Sequence, residues 1–254
     1  MVDPVMSRRE RRRQETYDEI VQVSRELLRE GCELSVRAVA TQMGMTSPAL
    51  YRYLDSVDEL HVLVARDICA DVVAAMTRAR DHYPCDDPAA RLAASATMFR
   101  CWALANRVEF QMAFANPTLA DVWRNRSKAK DRDAQNPFAA YFAQLFIELH
   151  SRGLIAVPRK DDVDPGLQTL VDQSSDPFTA KLGLEGMGTM WLFKLAWVRL
   201  YGVLMVEVFG RVEEELVDSD LVFNTLMRET FASLGLASSW DRLIQVSRDT
   251  AARA

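Results

Sequence analysis

The sequence predicts an all-α fold, with an N-terminal three-helix helix-turn-helix domain at residues 1–55 and a larger helical domain at residues 56–254. Three observations carry that reading. Apolar residues recur at helical spacing almost throughout, and alternating Val-Ile-Thr-Tyr runs are absent. Helix starts are marked by Ser-x-x-Glu boxes and by Asp-Pro or Asn-Pro pairs, in which the side chain caps free amides and proline wastes no donor. Near the N-terminus, two short helical stretches flank a single glycine, Gly44.

The elements follow in order. Ser7 with Glu10 opens a helix over 8–30, whose inner face is Ile20, Val23, Leu27 and Leu28 and whose exit is Gly31. Short helices at 36–42 and 47–54 place Val36, Val39 and Ala40, then Leu50 and Leu54, against a core. Ser56 with Glu59 opens a helix over 57–82, striped by Leu60, Leu63, Val64, Ile68, Val72 and Met76. Asp87-Pro88 starts a helix over 88–115, Asn116-Pro117 one over 118–131, and Asn136-Pro137 one over 137–152 that Gly153 closes. Residues 153–178, with Pro158, Pro165, Pro177 and a charge run at 159–162, read as a long loop holding one short helix near Pro165 to Val171. Helices over 179–211, with Gly210 at its exit, 219–234 and 238–250 complete the chain.

Composition excludes several classes. A chain of 254 residues that is 49% hydrophobic holds enough apolar material for one large or two smaller domains. Its most apolar stretch, 189–209, is interrupted by Lys194, Arg199 and Glu207, so no membrane span is expected. The N-terminal arginines precede no apolar run, which argues against a secretory signal and for the cytoplasm, with the cysteines reduced. Cys32, Cys69, Cys85 and Cys101 form no C-x-x-C pair, Cys85 lies among acids, and His61, His82 and His150 are scattered, so no metal site is expected. Gly183, Gly186 and Gly188 form G-x-x-G-x-G without a preceding strand, and no cofactor is expected.

Charge is distributed unevenly. Residues 1–54 carry nine arginines against eight acids, a net +1, and the other 200 carry −6. Residues 34–54 contain Arg37 and Arg52 and no acid, and Ser7 to Arg13 hold five arginines with one glutamate. Such a distribution fits a polyanion partner on an otherwise acidic protein. The five arginines read either as a minor-groove arm or, given the box at Ser7, as part of the first helix lying over a nucleic-acid backbone.

The segment SVRAVATQMGMTSPALYRYL at 35–54 has helix-turn-helix spacing, and its second helix is expected to enter the major groove of double-stranded DNA. Ser47 suits a base edge or a phosphate, and Pro48 and Ala49 suit a thymine methyl. Arg37 and Arg52 suit a guanine edge or a phosphate, and the Tyr51 and Tyr53 hydroxyls suit phosphates. Thr46 either joins them or caps the helix.

These residues resemble the TetR-type bacterial transcription regulators. The resemblance runs through Leu34-Ser35-Val36-Arg37-Ala38-Val39-Ala40, Met43-Gly44-Met45 and Ser47-Pro48-Ala49-Leu50-Tyr51-Arg52-Tyr53-Leu54, into Ser56-Val57-Asp58-Glu59-Leu60. It covers about residues 12–64. Where this chain has Val57 the family usually has a lysine that touches a phosphate, and its absence implies a salt dependence flatter by about one unit per subunit. Trp197-Val198-Arg199-Leu200-Tyr201-Gly202 is similar to the Trp-x-x-x-His-Gly class of C-terminal domain found in some members, with Tyr201 in place of histidine. The resemblance implies a homodimer built from the last two long helices, on which Gly202, Met205, Phe209, Phe223, Met227 and Phe231 are the candidate contacts.

The second domain is rich in aromatics, which suits an apolar pocket for a small-molecule effector. Phe99, Trp102, Phe110 and Trp197 are its candidate walls, with Asn106, Gln111, Tyr141 and Lys194 as orienting polar groups. The leading reading is a homodimeric, ligand-modulated regulator, mostly a repressor in the family, on a palindromic operator. An all-helical enzyme and a ligand-independent DNA binder are the alternatives. The sequence offers the enzyme no Ser/His/Asp grouping, and the acidic second domain argues against a purely architectural binder.

Overall fold

The structure, a computed structural model, describes residues 7–117, 119, 137–155, 164–166, 169 and 187–254. Nearly all of the expected helix at 118–131, most of the 153–178 loop and residues 179–186 lie outside the described residues. Every regular element among the described residues is helical. In chain order these are α1 (Arg8–Arg29), α2 (Val36–Gln42), α3 (Ser47–Leu50), α4 (Val57–Arg80), α5 (Pro88–Ala105) and α6 (Arg107–Phe114). They continue with α7 (Pro137–Ser151), α8 (Met187–Val208), α9 (Glu214–Asp218), α10 (Leu221–Ser233), a 3-10 turn at Ala237–Ser239 and α11 (Trp240–Ala251).

Local chemistry explains the starts. At α1 the box is complete: the Glu10 amide donates to Ser7 Oγ and the Glu10 carboxylate accepts from the Ser7 amide at 2.8 Å. At α4 only half of the expected box forms. The Glu59 amide donates to Ser56 Oγ at 3.1 Å, but the Glu59 carboxylate takes the amide of Asp55 instead. Ser35 caps α2 through the Ala38 amide, and Asp87 caps α5 through the Ala90 amide at 3.1 Å.

One expected helix is interrupted, and a short unexpected helix precedes another. The span 88–115 breaks at Asn106, whose φ of −125° and ψ of 50° are not helical. Asparagine competes with the helix for backbone bonds, and here no proline or glycine announces the break. The span 219–234 is preceded by the short α9, and Asp220 between α9 and α10 has a φ of 57°.

The chain forms two compact units, Met1–Asp71 with Asn106–Asn136, and Val72–Ala105 with Pro137–Ala254. In the first, α1 packs on α2 and α6, and α2 on α3. Ile20, Leu27, Leu28, Val36, Val39, Leu50 and Leu54 are buried there, as their periodicity requires. An ion cluster joins three helices. Arg25 bonds Asp67 and Asp71 of α4 at 2.6 Å each and Glu109 of α6 at 2.9 Å, and Arg29 reaches Glu109 at 2.8 Å. Glu109 is buried, so the two guanidiniums supply the bonds that water would otherwise make.

In the second unit α5 is the central helix, buried on almost every side and packed by α7, α8 and α11. Its alanines permit that close approach. α8 also packs on α10 and α7. The aromatic core includes Phe99 against Phe138 at 4.6 Å between ring centroids and Phe138 against Trp197 at 5.4 Å. Arg100 on α5 is buried with its charge matched. It donates to Glu207 on α8 and the Val217 carbonyl at 2.7 Å each, and also to Asp220.

Candidate nucleic-acid interface and apolar cavity

The helix pair is held by its turn and its core. Gly44 adopts a φ of 66°, a left-handed conformation that a side chain would oppose. The Met45 amide then returns to the Ala40 carbonyl at 2.8 Å, closing α2 against the turn. Leu50 and Leu54 are fully buried and seat α3 on the core.

That seating decides what faces water. Arg37 on α2 is exposed, as are Thr46, Pro48, Tyr51 and Arg52 around α3, while Ser47, Ala49 and Tyr53 are half-buried. Tyr51 is 51% exposed at the end of α3, unusual for a large aromatic that only packs. Thr46 is the N-cap, its hydroxyl accepting from the Ala49 amide at 3.4 Å. α3 is shorter than the expected 47–54, continuing as turn to Tyr53. Val57, first residue of α4, is 40% exposed, so no cation stands where the resemblance leads one to expect a lysine.

Tyr17, which the motif does not include, fixes the end of the pair. Its hydroxyl donates to the Tyr53 carbonyl at 2.9 Å, and the two rings meet edge-on at 5.8 Å. Its one sequence signal is the helical spacing from Arg13, whose guanidinium bonds the Tyr17 hydroxyl at 3.1 Å. The arginines at 8, 9, 11, 12 and 13 belong to α1 and form no separate arm. Arg8, Arg9, Arg12 and Arg13 line an open groove with Arg52 and Tyr53.

The second unit contains a small apolar cavity. Its walls are Leu92 and Ala96 of α5, Phe142 and Phe146 of α7, Phe193, Trp197 and Leu200 of α8, and Met227, Thr230 and Phe231 of α10. Among the described wall residues the one hydroxyl, on Thr230, is bonded to the Leu226 carbonyl at 2.7 Å.

Of the expected pocket residues, Trp197 lines this cavity. Phe99 is fully buried in the aromatic core rather than on the wall. Tyr141 turns its hydroxyl to Ser95 at 2.8 Å, and burial, partly offset by that bond, raises its pKa above the ordinary phenol value. Lys194 is exposed and Trp102 half-buried. Asn106, Phe110 and Gln111 fall in the first unit, because the chain leaves α5 at Asn106; Phe110 stacks on Phe114 there at 5.2 Å.

The expected dimer face also divides. Met227 and Phe231 line the cavity inside the second unit, and Phe223 is buried beneath the Arg100 guanidinium at 5.1 Å. Phe209 is 39% exposed, and Gly202 and Met205 are half-buried. Val198 and Leu221, 62% and 57% exposed, are the large apolar side chains that extend this outer face.

The four cysteines are free thiols, and burial pushes Cys69 up to about 12, which makes it unreactive. Among the described residues no helix is long and apolar enough to cross a membrane.

Comparison with known proteins agrees with the geometry. Residues 92–230 match the family described as the tetracyclin repressor-like, C-terminal domain. The HTH-type transcriptional regulators Rv1816 of Mycobacterium tuberculosis and Mb1846 of Mycobacterium bovis are each 28% identical over 228 residues, covering 87% of this chain and 93% of theirs. The crystal structure of SCO4313, a protein described as regulatory, shares the fold with a TM-score of 0.60 at 24% identity, over 89% of this chain and 100% of that one. A family match across more than half of the sequence stands behind a helix-turn-helix with its polar face in solvent, and the chain belongs to the TetR-type family of transcriptional regulators, which are not enzymes.

Proposed function

We propose that this chain is a homodimeric transcriptional repressor that binds a two-fold symmetric operator through α2 and α3 and is released by a small apolar effector. One observation carries the reading. The helix pair buries Leu50 and Leu54 and leaves Arg37, Pro48, Tyr51 and Arg52 in solvent. An exposed tyrosine with two exposed arginines on the same helix pair is the set of groups that suits phosphates and base edges. Ser47, Pro48 and Ala49 enter the major groove at the start of α3, and Arg37, Tyr51, Arg52 and Tyr53 hold the flanking backbone or a guanine edge. One helix pair reads few base pairs, and two-fold symmetry doubles the site.

Selection of bound duplexes from a random pool by the purified protein, repeated at two salt concentrations, tests this. An enriched inverted repeat is expected, and a pool without enrichment sinks the operator reading.

Dimerisation uses the outer face of α8, with Val198, Gly202, Met205 and Phe209, together with Leu221 at the start of α10. Val198→Glu places a charge in that face and is expected to give a monomer by sedimentation, with operator affinity at least about tenfold lower because two half-sites no longer act together. A wild-type monomer, or a Val198→Glu dimer, removes this interface.

The effector binds in the cavity among α5, α7, α8 and α10. With no charged group among the described wall residues, the molecule this pocket suits is uncharged and apolar. It acts by fitting a conformation in which the reading helices are misplaced, and α4 is the connecting element. Nearly complete release takes about 5.5 kcal/mol of differential affinity. The protein acts in the cytoplasm, where the DNA is.

A further inference from the structure

We infer that the arginine face of α1 is a second DNA-contacting surface, which grips backbone phosphates beside the base pairs read by α3. The inference rests on the DNA-binding reading above but concerns phosphates, not sequence.

Four observations support it. Arg8, Arg9, Arg12 and Arg13 line one groove, and Arg52 and Tyr53, from the turn that follows the reading helix, complete it. The groove is therefore continuous with the proposed reading surface. Tyr17 locks that continuity, since it joins α1 to the Tyr53 carbonyl at 2.9 Å.

Among the described residues no ion pair neutralises the cluster. Arg8 and Arg12, and Arg9 and Arg13, stand one turn apart on the same helix, where like charges repel. They occupy the first turns of α1, the end that favours anions. Among the described residues the acid within the run, Glu10, spends its carboxylate on the Ser7 amide. Glu15 and Glu19 are the acids that line the groove, two carboxylates facing five guanidiniums.

The helix is nevertheless well formed, with its capping box complete. A pre-shaped run of unneutralised guanidiniums on a chain of net charge −5 is matched by a regularly spaced polyanion. Duplex DNA already placed against Arg52 supplies one.

The test uses the full chain and three proteins: wild type, a variant carrying Arg8→Gln, Arg9→Gln and Arg12→Gln, and one carrying Arg8→Lys, Arg9→Lys and Arg12→Lys. Glutamine and lysine keep helix propensity close to that of arginine. Each protein is titrated against a duplex bearing the selected operator and against one of random sequence, over a range of salt.

The glutamine variant is expected to bind both duplexes at least about tenfold more weakly, with log K against log salt flatter by about 0.9 for each phosphate that no longer meets a guanidinium. The selected sequence stays the same, and the lysine variant keeps most of the affinity. Unchanged binding of the glutamine variant to both duplexes overturns the inference. So does a lysine variant as weak as the glutamine one, which assigns the residues a structural role. Loss of binding to anionic vesicles with unchanged duplex binding also overturns it, in favour of a lipid surface. If no protein prefers the operator but the glutamine variant still binds the random duplex more weakly, the phosphate surface stands and the operator reading falls.

Discussion

Arg100→Ala is expected to destabilise the second unit by about 3–5 kcal/mol, because it takes the guanidinium away from a buried carboxylate. Glu207 is 1% exposed and receives Arg100 Nε at 2.7 Å. The same guanidinium satisfies the Val217 carbonyl at 2.7 Å, bonds Asp220 and lies over the Phe223 ring. Burial alone would pull the Arg100 pKa down; the bonds from Glu207 and Asp220 outweigh it and raise the value, so the group stays charged. Alanine removes all of these partners at once. It also removes the anchor of Asp220, whose left-handed backbone is otherwise unfavourable for a residue with a side chain.

Denaturant and thermal melts check the expectation. A chain of this size loses roughly 2–4 °C for each kcal/mol, so the midpoint falls by about 6–20 °C. The double variant Arg100→Met with Glu207→Met is expected to be more stable than Arg100→Ala, since it leaves no lone charge. A single variant within about 1 kcal/mol of wild type would mean that water reaches Glu207 and that the cluster is not closed.

Arg37→Ala together with Tyr51→Ala is expected to abolish measurable operator binding while leaving the fold intact. Both side chains are exposed, so their removal costs little stability. A base-reading contact is worth about 1–3 kcal/mol, and each occurs twice in a dimer on a symmetric site. Removing two such groups per protomer reduces affinity at least about a thousandfold. The single variants separate the roles. Arg37→Ala relaxes the selected sequence at one position if it reads guanine. It lowers affinity uniformly and flattens the salt dependence if it holds a phosphate. Operator affinity within about threefold of wild type in the double variant would remove this face from the interface.

Much of the fold is legible in the sequence because its signals are local. The box at Ser7 and Glu10, the Asp87-Pro88 start and the turn at Gly44 act within four residues of chain, and each has the geometry its chemistry demands. The second box is legible only in part. Glu59 can reach the amide of either Asp55 or Ser56, and spacing does not choose between them. The break at Asn106 is not legible, since asparagine is tolerated in helices and the apolar pattern runs on through Phe110.

The proposed DNA-facing residues follow from the motif, and the structure adds which of them face solvent. The pocket and the dimer face are harder. Periodicity marks Phe223, Met227 and Phe231 as a buried stripe, but a stripe against a cavity and a stripe against a second subunit have the same spacing.

By itself, then, the sequence determined most of the helices, several of their caps, the helix-turn-helix and the family, because each depends on residues a few positions apart. Only the tertiary structure decided what each buried face meets. Arg25 finds Glu109 across 84 positions and Arg100 finds Glu207 across 107, and no local pattern records either pairing. Helical spacing tells a side chain which way to point, whereas its partner is chosen by how the helices pack.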